Sequence, residues 1–194
     1  MNVGMFVLAT VTALSAAPVL DTVTPPAVPA DLAVSSSESA YLIAHAVGTQ
    51  NYVCLPAAGG TYAWVLFGPQ ATLFDDEGGQ VITHFLSANP VENGLPRPTW
   101  QHSRDTSSVW AALAAQSSDP AYVAPNSIPW FLLRTVGTKY GPELGGRLVR
   151  TTAIQRVNTS GGVAPATGCA AGTDVGRKAL VPYSADYVFY RIQN

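Results

Sequence analysis

The chain carries two cysteines, Cys54 and Cys169, 115 positions apart. The second one closes the stretch that most limits the fold. Residues 154–169 begin as a strand in which Ile154 and Val157 flank Gln155 and Arg156. The stretch breaks at Gly161-Gly162, turns again at Pro165 and Gly168, and delivers Cys169. A bond from there to Cys54 would tie the two halves of the chain together. In the chain-entropy picture a loop of that size is worth roughly 4–5 kcal/mol, less any strain.

Export gives that pairing its setting. Residues 3–14 are rich in apolar residues and lead into Ser15-Ala16-Ala17, small residues suited to cleavage. The expectation is a signal peptide over residues 1–17, although its start carries no Lys or Arg. The apolar run is shorter than the ~20 residues a spanning helix needs, so no membrane span is expected. Two cysteines in an oxidising compartment pair most simply with each other. The sequon Asn158-Thr159-Ser160 adds a candidate glycosylation site at Asn158.

Beyond the leader, short apolar runs alternate with turns. Residues 18–39 hold Pro18, Pro25, Pro26, Pro29 and a serine run, and read as an extended leader. The single β domain is then residues 40–194. Residues 41–47, 50–54, 62–67, 71–75 and 80–86 read as strands, with Gly48, Gly68-Pro69 and Gly78-Gly79 as turns. Residues 87–98 read as loop because of Pro90, Pro96 and Pro98, and residues 107–115 are ambiguous between helix and strand. Residues 128–135, 147–159 and 186–192 supply further strands, with Tyr187 and Phe189 on one face of the last and Tyr190 on the other. The fold expected is all-β, a single-domain β-sandwich or flattened barrel of about nine to ten strands with long loops.

Only 11% of residues are charged and the formal net charge is −2, with no basic cluster, so nucleic acid is not an expected partner.

Several motifs are recognisable in order: Gly48-Thr49-Gln50-Asn51-Tyr52-Val53-Cys54, Trp64 with Gly68-Pro69, Thr83-His84-Phe85, Pro98-Thr99-Trp100 and Asp105-Thr106-Ser107. They continue through Ile128-Pro129-Trp130-Phe131-Leu132-Leu133, residues 154–169 and residues 181–187. In these the chain resembles a family of secreted fungal and bacterial proteins of unknown function, some of which carry the label malate dehydrogenase. Where that family often has Asp-Gly-Ser, this chain has Asp105-Thr106-Ser107. The resemblance implies export and one compact domain, and assigns no catalytic residue. The dehydrogenase label finds no support in the residues. No G-x-G-x-x-G follows a strand and no βαβ alternation exists, so neither NAD nor any other cofactor is expected.

The candidate chemistry lies in two loop-rich segments. His84 and Asp105 could form an acid–base pair, the basis of a secreted hydrolase. Trp100, with His84 and His102, could instead bind a sugar ring. A bland role is the heavier reading of each: Trp100 as core, His84 as a hydrogen-bonded structural group, Asp105 as a turn cap. A metal site from His45, His84 and His102 has no supporting spacing. The acidic run Asp75-Asp76-Glu77 reads as solvated hairpin residues. The expected function is a surface or cell-wall-associated binding module, with polysaccharide or wall glycan as the ligand class considered first. A self-assembling coat protein is the third alternative, and the oligomeric state is left open.

Overall fold

The computed structural model describes residues 23–193. The expected signal segment, residues 1–17, lies outside the described residues.

Eight antiparallel strands follow one another in chain order and close into a barrel. They are β1 (Glu38–Pro56), β2 (Tyr62–Phe74), β3 (Gln80–Asn89), β4 (Leu95–His102), β5 (Ser108–Ser117), β6 (Trp130–Lys139), β7 (Ala153–Gly161) and β8 (Lys178–Ile192). The long β1 pairs with β8 over most of its length and with β2 along its second half, which shuts the cylinder. Closure leaves no free sheet edge, and eight strands enclose a lumen that side chains fill or that admits one small ligand.

The all-β, single-domain expectation holds, in its barrel form. The strand count corrects to eight because two breaks read as turns lie inside strands. Gly48 pairs with Ala71 and Tyr183 in mid-β1, where a side chain would run into the Gln70–Ala71 backbone. Gly68-Pro69 likewise continues β2 past a bulge. Residues 87–98, expected as loop, are mostly the β3–β4 hairpin, with Leu86 opposite Pro98 and Ala88 opposite Pro96. These prolines are tolerated because β4 gains its β5 partner only at Thr99. Residues 108–115 belong to a strand, β5, whereas residues 147–150 form turns before β7.

Period-two alternation sorts the side chains. Inward go Ala44, Ala46, Ala71, Ala111 and Ala185 among the large Trp100, Tyr183, Tyr187 and Phe189. The small residues make room for the rings. Outward from β6, β7 and β8 go Trp130, Leu132, Ala153, Val157, Val188 and Tyr190, which form a second cluster around Leu32. The proline-rich segment before β1 thus covers one outer face, pinned where Gln155 Nε2 donates to Leu32 O at 2.7 Å.

Cys54 and Cys169 are disulfide-bonded with Cα atoms 5.5 Å apart, as expected from the pair. The bond ties the β7–β8 connection to the end of β1. That end also holds the β1–β2, β3–β4 and β5–β6 connections; the opposite end holds the other three.

Candidate ligand-binding site

The end opposite the disulfide is closed. Leu148, from the β6–β7 connection, is fully buried in the lumen cluster. Asp105 holds that connection in place. Its Oδ2 accepts from the Arg147 N–H at 2.9 Å, and its Oδ1 accepts from Ser107 N–H (3.0 Å) and Ser107 Oγ (2.7 Å). Ser107 Oγ in turn accepts from the Leu148 N–H. Burial works to raise the Asp105 carboxyl, but the Arg147 and Ser107 donors outweigh it and hold it below its ordinary value. Thr106, where the resembled family often has glycine, takes φ 54 in this turn, a left-handed conformation uncommon for a β-branched residue.

His102 lies beside this clamp, its Nδ1 3.1 Å from Asp105 Oδ1. The Arg104 and Asp105 N–H groups both point at that nitrogen from 3.3 Å, so it is an acceptor. Burial lowers the His102 pKa, against the pull of Asp105. The lowered value disfavours the charged form of His102 beside Asp105.

The other end is open on one side. The β2–β3 ladder stops at Gln70 opposite Phe85, and the β4–β5 ladder stops at Thr99 opposite Trp110. Beyond those points the β3–β4 hairpin leaves the wall. Its tip leans on β6, where Asn89 Nδ2 reaches Val136 O at 3.3 Å. The gap leads into a cavity of about 260 Å³ whose sides include Leu66, Pro69, Pro98, Leu113, Phe131 and Leu133.

At its inner wall sit Gln50, His84, Trp100, Arg156 and Tyr187. Arg156 points into the lumen two residues after Ile154 on β7, and is 7% exposed. Its guanidinium stacks on the Phe131 ring at 3.8 Å, donates from Nη2 to Pro129 O at 2.8 Å, and has the Tyr187 hydroxyl as a neighbour. No carboxylate pairs with it among the described residues. Burial lowers its pKa, but a guanidinium stays protonated in proteins.

His84 donates through Nδ1 to Thr99 O at 2.8 Å and stacks on Trp100, ring centroids 4.3 Å apart. Burial pushes its pKa down to about 3, which keeps it neutral with Nε2 as acceptor. Burial also pushes the Tyr183 and Tyr187 hydroxyls up, so neither ionises to balance Arg156.

Five buried side-chain atoms lack a hydrogen-bond partner among the described residues, and three of them, Gln50 Nε2, Trp100 Nε1 and Arg156 Nε, belong to residues that line this one cavity. An unpartnered buried donor costs about 1–3 kcal/mol, so three in one place are expensive for stability alone.

The residues singled out in the sequence fall on both ends. His84 and Trp100 lie at the cavity; Asp105 and His102 lie at the closed end, and Asp105 makes no contact with His84. His45 is elsewhere, on the outer surface between Asp186 (2.7 Å) and Asp76 (2.8 Å), so the three histidines do not meet. Among the described residues no group of three or more His, Cys, Asp or Glu could hold a metal. Asn158 is exposed, and its Nδ2, the atom a glycan would take, donates to Asp186 Oδ2 at 2.7 Å. Gln50 and Arg156 were not singled out. The signal for Arg156 was parity: it shares the inward face with Ile154.

The chain belongs to the family described as protein of unknown function (DUF3455), whose model matches residues 35–191. No curated protein and no solved structure matches it.

Proposed function

We propose that this family member is an exported binding protein that holds one small molecule in the open end of its barrel. The carrying observation is that three residues with an unpartnered buried donor, Gln50, Trp100 and Arg156, line one apolar-walled cavity. A few placed polar groups in a concave apolar site is the usual form of a small-molecule pocket. The disulfide supports an extracellular setting, because cytosolic thiols are kept reduced.

A compact ligand fits better than a glycan chain. Trp100 is 1% exposed with one face already on His84, so it offers no surface platform for stacking a sugar. The hydrolase alternative loses its pair, since Asp105 is engaged in the closed-end clamp.

The test is nitrogen–proton NMR with small aromatic and aliphatic fragments at millimolar concentration. Binding should shift the Trp100 Nε1–H, Gln50 Nε2 and Arg156 Nε–H signals together. A fragment panel that moves none of the three would overturn the reading.

A further inference from the structure

We infer that the ligand is a small monocarboxylate on an apolar body, its carboxylate held by Arg156 with Gln50. The inference rests on the cavity being a binding site and names what it selects.

The charge count sets the class. Arg156 is the one cation of the inner wall, and it meets only neutral groups there: a carbonyl, a phenol and an aromatic ring. A second arginine, Arg97, lines the opening, but Glu92 takes its charge through Nη2 at 2.6 Å and Nε at 2.8 Å. His84 is neutral, so it brings no further positive charge. The inner cavity therefore carries a net charge of one, and a single negative charge balances it. A dianionic phosphate would bring one charge too many into a site walled by Leu, Pro and Phe, where an unbalanced charge is costly.

The donor geometry points the same way. The unpartnered atoms of Gln50, Trp100 and Arg156 are all N–H donors, and a guanidinium with an amide in the same lining suits the two oxygens of a carboxylate. The remaining walls, Leu66, Leu113, Phe131 and Leu133 among them, ask for an apolar body. The volume of about 260 Å³ lies just under the ~300 Å³ at which sites for drug-sized molecules begin. Benzoate, phenylacetate and hexanoate are suitable probes.

Calorimetry with benzoate, benzamide, benzyl alcohol and inorganic phosphate tests this on the intact, disulfide-bonded protein. Benzoate should bind roughly 10- to 100-fold tighter than benzamide, the margin of a charge-assisted hydrogen bond over a neutral one. Arg156→Met should erase that margin while benzyl alcohol still binds, which also shows that the variant is folded. Arg156→Lys keeps the charge and should retain part of the margin. Equal affinity for benzoate and benzamide, or tighter binding of phosphate, overturns the carboxylate assignment and leaves the cavity reading standing. Failure of every probe to bind removes the cavity reading itself.

Discussion

At the closed end of the barrel, Leu148 is buried in the lumen cluster and Asp105 engages one carboxylate oxygen with its own loop and the other with the β6–β7 connection. At the open end, Arg156, Gln50 and Trp100 each keep a donor without a partner among the described residues. A second cavity of about 330 Å³ at the closed end, beside His102 and Leu148, is lined by no residue with an unpartnered buried side-chain atom among the described residues. The two ends thus differ in polar satisfaction and not in the presence of space. Structural ends satisfy their buried groups internally; an end that leaves donors unsatisfied gives up stability that a ligand can restore.

The largest break in this comparison comes from one substitution made at both ends. Leu148→Ala removes the closed-end plug and should cost about 2–5 kcal/mol in urea unfolding. Leu113→Ala, at an opening residue that is 52% exposed, should stay within about 0.5 kcal/mol. Equal losses would mean that the open end is packed like a core.

The next comparison concerns the polar groups. Asp105→Ala strips acceptors from Arg147 and Ser107 and should destabilise by roughly 1–3 kcal/mol. Arg156→Met replaces a buried, carboxylate-free cation by an apolar chain of similar length, and should leave the ligand-free protein unchanged or stabilise it by about 1–4 kcal/mol. A loss at Arg156 as large as that at Asp105 would make the arginine a structural strut.

How far the sequence carried this differs by end as well. The outward and inward parities of β8 were legible, because Tyr187 and Phe189 alternate with Tyr190 in an unbroken strand. So was the disulfide, since two cysteines in a chain read as exported have one simple pairing. Strand number was not, because glycine at Gly48 serves close approach between β1 and β2 and not a turn, which only the pairing reveals. At the site, His84 and Trp100 were visible as candidate types. Their separation from Asp105 was not, since it depends on which strand ends share a rim. Arg156 was hidden by its neighbours: beside Gln155 it resembles a solvated pair, whereas the barrel turns one outward to Leu32 and the other inward.

The smallest effects are those of two histidines that titrate in opposite senses. His84, in the lumen, has its folded pKa pushed down to about 3 by burial, against an ordinary value of 6.5. Between those values the unfolded chain binds a proton that the native one does not, so stability falls as pH falls. The slope is about 1.4 kcal/mol per pH unit from one such group. His45, outside near the closed end, has both ring nitrogens within hydrogen-bond reach of carboxylates, Asp76 and Asp186, which raise its pKa above 6.5. Its contribution is complete below 6.5 and is lost as pH rises through the folded value. Asp76 is 89% exposed, so solvent screens that half of the clamp and the whole is worth under about 1 kcal/mol. Urea unfolding between pH 5 and 8 separates the two. His84→Asn should flatten the acid side, measured as the difference from the parent protein at pH 5 and pH 7. His45→Gln should instead remove a small decline on the alkaline side, and 1 M salt should shrink that decline in the parent while leaving the His84 slope in place. If His45→Gln also flattens the acid side, the assignment of opposite signs to the lumen and the outer surface is wrong.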